Sequence, residues 1–174
     1  MPTVRPSKDF YYLGLAEAAS TRSTCMRKMY GAVIVKDDEL IATGYNGAPR
    51  GRKNCNSCGY CKRIANNLPR GSDYTGSCRS VHAEMNAIIH APRRDMLHST
   101  LYLYGYDREH DEIVREPDCC SICKRLIINA GIERVVFADP EVGFINADKP
   151  YRCRSIMTET WIEDDDTLDT ATSL

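Results

Sequence analysis

Hydrophobic residues near the N-terminus recur at helical spacing, and two β-branched runs with strand character follow them. Ser7 fits an N-cap position, and the spacing after it predicts a helix to about Arg22. The run Gly31–Val35 predicts a buried strand. The turn residues Asp37-Asp38 separate it from Leu40–Gly44, so these two runs are expected to form a hairpin.

The rest of the chain alternates helical and extended patterns. Apolar periodicity predicts helices over 82–91 and 120–130 and strands over 100–104 and 134–138. Pro92 ends the first helix, and Gly131 is a good C′ residue for the second. Alternation after an initial hairpin predicts an α/β fold, a three-layer α/β/α sandwich around a central mixed sheet.

Three segments lack such a pattern. Residues 50–79 are rich in Cys, Gly, Asn and Arg, with one short helix expected near Lys62–Asn66. A charged loop is predicted over Tyr106–Asp118, and its segment 105–116 is either a lid over the substrate or a solvated insertion. We expect a single domain over 1–162, with the Cys-rich part as an insertion at about 50–79, and a solvated acidic tail over 163–174.

Composition limits the classes of function. The chain has 174 residues with 23 basic and 24 acidic side chains, so bulk charge does not indicate nucleic acid or membrane binding. Neither a signal peptide nor a membrane span is evident, and a cytoplasmic location is expected. Because thiols stay reduced there, the nine cysteines favour metal binding over disulfides.

Two short motifs offer a metal site, His82-Ala83-Glu84 and Cys120-Ser121-Ile122-Cys123. The cysteines are spaced to lie on one helical face, and a helix N-terminus stabilises thiolates and disfavours imidazolium. Three ligands, His82, Cys120 and Cys123, would leave one zinc position open for water, as in catalytic sites. Glu84, expected at the third helical position, would shuttle protons; its alternative role is a helix cap.

These motifs resemble the zinc-dependent cytidine deaminase superfamily, and the chain is most similar to deoxycytidylate (dCMP) deaminases. Supporting segments are Ser23-Thr24-Cys25, Gly31–Val35, Gly44-Tyr45-Asn46-Gly47 and Ile127–Ile132. The resemblance implies a cytidine deaminase-like fold and a hydrolytic reaction at C4 of cytosine, giving dUMP and ammonia from dCMP. Zinc would activate the attacking water, and Glu84 would move the protons.

The resemblance also implies substrate contacts and partners. Asn46 matches the residue that binds the sugar, although a turn asparagine is an equal alternative. Arg93 matches the arginine that holds the 5′-phosphate, with Arg94 as a rival. Similar enzymes are homo-oligomers, often hexamers, and many respond to dCTP and dTTP. Membrane and nucleic-acid partners are not expected.

Cys119 is an alternative to Cys120 as a zinc ligand. Cys119 stands where the family usually has proline, and it shares a helical face with Cys123 at i, i+4. The C-x-x-C spacing favours Cys120 over Cys119 as the zinc ligand.

A second, structural zinc is also expected. Its four ligands would come from five thiols, those of Cys25, Cys55, Cys58, Cys61 and Cys78. Spacing makes the triplet 55, 58 and 61 with Cys78 the simplest set, whereas the family resemblance supports Cys25 with Cys55. Unligated reduced cysteines and an iron–sulfur cluster are the alternatives.

Other functions compete with the deaminase hypothesis. The same chemistry could act on another base, nucleoside or nucleotide, or on adenosine in RNA, although the weak basicity argues against RNA. A different class is a zinc-stapled nucleic-acid-binding module, built on the 55–61 knuckle and a basic cluster of Arg50, Arg52, Lys53, Lys62, Arg63 and Arg70. That module would leave His82 and Glu84 without a role.

Overall fold

The computed structural model describes residues 5–68, 78–140 and 150–161. The predicted acidic tail and part of the Cys-rich segment lie outside these ranges. The helices are α1 Lys8–Ser20, α2 Cys55–Cys58, α3 Lys62–Ala65, α4 Ala83–Ile89, α5 Arg93–Met96 and α6 Ser121–Ala130. The strands are β1 Lys28–Lys36, β2 Glu39–Tyr45, β3 Thr100–Asp107, β4 Glu112–Ile113, β5 Arg134–Asp139 and β6 Arg152–Met157.

The described strands form one mixed sheet. Its order is β2-β1-β3-β5-β6, and the short β4 pairs with β3 off this path. Strand β1 is antiparallel to both of its neighbours, β3 and β5 are parallel, and β6 is antiparallel to β5. The parallel pair requires a crossover, and α6 lies in the connection between its two strands.

Alternating side chains of the central strands enter two separate cores. Ala32 and Ile34 of β1 pack with residues of α4 and α6, whereas Val33 and Val35 pack with residues of α1. On β3, Leu101 and Leu103 lie in the core with α4 and α6, whereas Tyr102 and Tyr104 lie in the core with α1. Helix α1 thus covers one face of the sheet, and α4 and α6, together with Met96 of α5, cover the other. This confirms the predicted α/β/α sandwich.

Glycines allow both helical layers to approach the sheet closely. A Cβ on Gly44 of β2 would lie 2.2 Å from the carbonyl oxygen of Ala83 and 2.4 Å from the amide nitrogen of Ala87. A Cβ on Gly31 of β1 would lie 1.9 Å from the carbonyl oxygen of Ala16 in α1. The contact at Gly44 sets the position of α4, and therefore of the residues that begin this helix.

Local chemistry explains the ends of several elements. The Ser7 hydroxyl accepts a hydrogen bond from the Phe10 amide, as expected of an N-cap. Asp37 and Asp38 have φ values of 49° and 65°, so both central residues of the β1–β2 turn adopt left-handed conformations, as in tight hairpins. Helix α6 ends at Gly131, with φ of 82°.

Some elements differ from the sequence expectations. The predicted charged loop begins later than expected, because β3 continues to Asp107 and pairs with β4. Strand β6 was not predicted, since Arg152 and Arg154 interrupt any apolar run. The helix predicted over 82–91 ends at Ile89, and Pro92 caps the separate turn α5. No described helix has the length and apolarity needed to cross a bilayer.

Candidate active site

The N-termini of two helices bring three metal-binding side chains together. His82 is the N-cap of α4, and Cys120 is the N-cap of α6. The His82 Nδ1 atom lies 3.5 Å from the Cys120 Sγ and 3.4 Å from the Cys123 Sγ. All three ligand atoms lie within 4.8 Å of one another. The packing of α4 against α6 thus joins two motifs that are distant in sequence.

The spacing of these atoms fits a zinc ion. Tetrahedral zinc with ordinary Zn–N and Zn–S bonds places nitrogen and sulfur ligands about 3.6 Å apart. The two nitrogen–sulfur separations are 3.5 and 3.4 Å. One imidazole and two thiols are also a donor set that zinc prefers, and three protein ligands leave one position open. The residues present therefore match a catalytic zinc site rather than a closed structural one.

The thiols are already electrostatically different from each other. A hydrogen bond from the Cys123 thiol lowers the pKa of Cys120 to about 4, with further help from His82. The same hydrogen bond and burial raise the pKa of Cys123 above its usual range. Burial acts against charge on His82, but Cys120 and Glu84 outweigh it and raise the His82 pKa. The direction for His82 is opposite to the expectation that the helix N-terminus disfavours its charged form. Protons on these three side chains would have to leave when metal binds.

Glu84 is the buried carboxylate of the site. It is the second residue of α4 rather than the expected third, because His82 occupies the cap position. Its side chain is only 5% exposed, and burial raises its pKa. A carboxyl group buried beside the metal-binding atoms can accept a proton and return it, as general acid–base catalysis requires.

Cys119 lies outside the group of ligand atoms. It is 3% exposed and packs in the core shared by α4 and α6. Burial, together with the negative charge of Glu84, raises its pKa well above the usual value. Cys119 is therefore a neutral buried thiol beside the site, and the sulfur grouped with His82 and Cys123 is that of Cys120.

A pocket of about 260 Å³ opens onto this site, lined in part by His82, Glu84 and Cys120. Asn46, 6% exposed, also lines it. Its Oδ1 accepts hydrogen bonds from the Ser23 hydroxyl and the Tyr30 amide, and its Nδ2 donates to the Lys28 carbonyl. These bonds use three of its four hydrogen-bonding positions, so one Nδ2 hydrogen remains for a ligand. Asn46 thus holds the backbone that follows β2 and also lines the pocket, and its role in sugar binding stays a prediction.

The two arginines predicted from the resemblance lie elsewhere. The Arg93 Nε donates to the carbonyl oxygen of Asn129, 3.0 Å away, and the side chain is exposed. Arg94 lies 3.5 Å from Asp95, and its side chain is 83% exposed. Neither lines the pocket within the described chain. A single chain therefore does not bring Arg93 to the candidate active site, and its role in phosphate binding stays a prediction.

Four of the five cysteines considered for a second metal line the same pocket: Cys25, Cys55, Cys61 and Cys78. Burial and the neighbouring Cys25 raise the pKa of Cys55, with smaller effects from Cys61 and Cys78. Cys58 instead lies 3.6 Å from the Arg79 guanidinium. No three of these five described thiols lie within 4.8 Å of one another. They are neighbours rather than a preformed metal site.

The sequence interpretation missed several residues of the pocket wall. Arg27 and Lys28 reach it from the residues at and just before the start of β1. Tyr60 reaches it from within the Cys-rich segment, and Arg79 from the end of that segment. The sequence signal that could have indicated this wall is the pair of adjacent basic residues, Arg27 and Lys28, before the buried run of β1. In contrast, residues 105–116, all of which are described, contribute nothing to the pocket lining. This favours a hairpin extension over a lid for that segment.

The mixed sheet, the zinc-compatible group and the buried carboxylate define a class, the zinc-dependent hydrolases. The family model for the "Cytidine and deoxycytidylate deaminase zinc-binding region" matches residues 6–139. The chain belongs to this family of deaminases.

The relatives extend this assignment. The chain is 43% identical over 136 residues to a deoxycytidylate deaminase of Mycobacterium phage D29, covering 76% of this chain and 95% of that protein. It is 37% identical to the deoxycytidylate deaminase of Saccharomyces cerevisiae, covering 79% of this chain but only 39% of the yeast protein. The chain thus spans well under half of that longer relative.

A solved structure gives a similar result. The dCMP deaminase of cyanophage S-TIM5, in complex with dCMP and dUMP, is 26% identical, with a TM-score of 0.51. The match covers 79% of this chain and 85% of that one. Sequence and fold therefore agree on the same family.

Proposed function

We propose that this chain catalyses the hydrolytic deamination of dCMP to dUMP and ammonia. The observation that carries the proposal is the convergence of His82, Cys120 and Cys123 beside the buried carboxylate of Glu84 in one pocket. Support for this substrate comes from the relatives named deoxycytidylate deaminase, including one that the chain matches over 95% of its length.

We assign the metal to His82, Cys120 and Cys123. Zinc bound there would lower the pKa of a water molecule and supply a nucleophile at neutral pH. Glu84, buried and with a raised pKa, would hold the proton taken from the water on its carboxylate. It would deliver this proton to N3 of the base. It would then take the proton of the hydroxyl added at C4 and pass it to the amine, which leaves as ammonia. The remaining Nδ2 hydrogen of Asn46 would donate to a hydroxyl of the sugar.

The direct test is a screen for ammonia release from cytosine, cytidine, deoxycytidine, CMP, dCMP and dCTP. We expect the highest kcat/KM for dCMP, with one dUMP formed per ammonia. A higher value for a different cytosine compound would refute dCMP as the preferred substrate. No release from any of them would refute cytosine deamination and favour the binding-module hypothesis.

We also propose that the four pocket-lining thiols, those of Cys25, Cys55, Cys61 and Cys78, bind a second, structural zinc. Their location in one pocket and the effects of the other three thiols on the Cys55 pKa support this set over one that includes Cys58. Metal would have to draw these thiols closer together than they lie now. Elemental analysis should give two zinc ions per chain, whereas one would exclude the second site.

The remaining expectations concern assembly, regulation and location. We propose a homo-oligomer, with a hexamer as one form, effector binding of dCTP and dTTP, and a cytoplasmic location. Exposed apolar side chains on α4 and α6, at Ile89, Ile122 and Leu126, support an interface on that layer. Light scattering of the purified protein tests assembly, and a monomeric mass would exclude it.

A further inference from the structure

Helix α4 runs along the outer edge of β2. Strand β2 is the first in the order of the sheet, and β1 pairs with one side of it. The Asn46 amide donates to the Tyr30 carbonyl oxygen at 3.2 Å, so the backbone groups of Asn46 point toward β1. Because these groups alternate in direction along a strand, those of Tyr45 and Thr43 point away from β1. The outer edge of β2 therefore presents carbonyl oxygens that need other donors.

Asn86 of α4 and its C-cap residue His90 supply these donors. The Asn86 Nδ2 donates to the Tyr45 carbonyl oxygen at 2.8 Å. The His90 Nδ1 lies 2.8 Å from the Thr43 carbonyl oxygen, so this nitrogen carries the proton and donates the hydrogen bond. The two donors are separated by about 6 Å along the helix, and the two acceptors by about 7 Å along the strand. Because these spacings match, one face of the helix reaches alternate residues of β2.

A backbone bridge extends this line of contacts toward the candidate active site. Gly47 and Val81 exchange two hydrogen bonds, of 3.1 and 2.8 Å. Val81 immediately precedes His82, which is the N-cap of α4 and an assigned metal ligand. We call the three contacts, at Gly47, Tyr45 and Thr43, the α4 seam. The α4 seam holds the start of the helix against the edge of the sheet.

Asn46 lies between the two seam contacts nearest the metal-binding group. Tyr45, which precedes it, is bonded to Asn86, and Gly47, which follows it, forms the backbone bridge. The side-chain hydrogen bonds of Asn46 described above lead to β1 and the segment before it rather than to α4. The α4 seam therefore sets the distance between Asn46 and the helix that carries Glu84.

We propose that Asn86 is a positioning residue, which holds Asn46 at a fixed distance from Glu84 through its hydrogen bond to Tyr45. This inference rests on the proposed function, because it takes Asn46 to bind the sugar of the nucleotide. Asn86 is not among the described residues that line the pocket, so it acts through Asn46. Hydrogen bonds depend steeply on distance and angle, so a small shift of Asn46 would weaken sugar binding. His90 makes the same kind of bond two residues further from Asn46 and contributes to stability alone.

The first test follows the position of Asn46 without any substrate. The Tyr30 amide donates to the Asn46 Oδ1 at 2.8 Å, so its hydrogen exchange, measured by NMR, reports how firmly Asn46 is held. We expect Asn86→Ala to speed this exchange by about twofold to tenfold, as for the loss of one hydrogen bond. His90→Ala is the matched control, because it removes a bond between the same helix and strand, and it should leave the exchange unchanged. Equal acceleration in both variants, or none in Asn86→Ala, would overturn the proposal.

Kinetics with dCMP test the consequence for the reaction. Asn86→Ala should raise KM by about tenfold at unchanged zinc content and with a smaller change in kcat, because a sugar contact acts in the ground state and the transition state alike. His90→Ala should change neither constant. Asn86→His should restore most of the wild-type KM, because a histidine of this helix already reaches a carbonyl oxygen of β2.

The two tests separate this proposal from the proposed function. If the wild-type protein deaminates no cytosine compound, the proposed function fails, but the exchange of the Tyr30 amide still decides whether Asn86 positions Asn46. If the wild-type protein deaminates dCMP and Asn86→Ala and His90→Ala raise KM equally, the proposed function stands and the positioning role is refuted.

Discussion

At the scale of single residues, the ligand set depends on which of two adjacent cysteines faces the metal. The structure groups the sulfur of Cys120 with His82 and Cys123, and it buries Cys119 in the core. The sequence favoured this choice through the C-x-x-C spacing alone. It could not exclude Cys119, because positions i and i+4 also share a helical face.

Substitution of the two cysteines tests this assignment. Cys119→Ala should keep the catalytic zinc, because its sulfur lies outside the group of ligand atoms. Cys120→Ala should lose that zinc and the activity, since a two-ligand site binds metal weakly. Zinc per chain and ammonia release are measured side by side on the two variants. Loss of zinc from Cys119→Ala with retention in Cys120→Ala would reverse the assignment.

A second residue-scale prediction concerns Asp107 at the end of β3. This carboxylate is 3% exposed and pairs with Lys28 and His110 at 3.3 and 3.2 Å. Burial alone would raise its pKa, but His110, the Glu109 amide and Lys28 together lower it. Because Lys28 lines the pocket, Asp107 joins the β3–β4 hairpin to the pocket wall.

Asp107→Asn should therefore lower the free energy of unfolding by about 1–3 kcal/mol near pH 6. A lowered folded-state pKa gives stability that is present above the unfolded value, near 3.9, and lost as pH falls through the folded value. The difference in the free energy of unfolding between wild type and variant should thus become smaller below about pH 4. Urea unfolding at several pH values measures this difference, with Asp95→Asn, whose side chain is 44% exposed, as control. A gap that widens in acid would contradict this account.

At the scale of secondary structure, apolar periodicity predicted the helices and strands that supply several side chains to the two cores. These include α1, the β1–β2 hairpin, α4, β3, α6 and β5. The edge strand β6 could not be predicted, because its stability comes from pairing with β5 and from an Arg154–Asp139 ion pair. The single turns α2 and α5 are too short to show a periodic face.

The two close-packed glycines give an element-scale prediction. Gly44→Ala would force α4 away from β2, because the added Cβ meets helix backbone, so it should lower zinc content and activity. Gly31→Ala produces a similar clash with α1 on the opposite face. Each should cost about 1–3 kcal/mol of stability.

Gly31→Ala is the control for Gly44→Ala, because it produces a similar clash on the face of the sheet that carries no metal-binding residue. Folded Gly31→Ala protein should keep its zinc and its activity per bound zinc, because α1 carries no site residue. Thermal unfolding and elemental analysis of both variants measure these effects. Normal zinc content and activity in Gly44→Ala would show that the position of α4 does not determine the site.

At the scale of the whole molecule, the catalytic group was predictable and the rest of the pocket was not. His82, Glu84, Cys120 and Cys123 lie in two motifs whose chemistry is recognisable in sequence. Arg27, Arg63 and Arg79 reach the pocket from three separate segments, and only the folded chain joins them. The domain boundary at residue 162 and the acidic tail beyond it stay predictions, since both lie outside the described residues.

The central claim is that Glu84 moves protons for a reaction at the site of His82, Cys120 and Cys123. The most direct measurement is ammonia release from dCMP by wild-type and Glu84→Gln protein with equal zinc content. The substitution removes the titratable group but keeps its size, so the rate should fall by about 10²–10⁴-fold while zinc is retained. A Glu84→Gln protein that retains zinc and deaminates dCMP at the wild-type rate would contradict the mechanism.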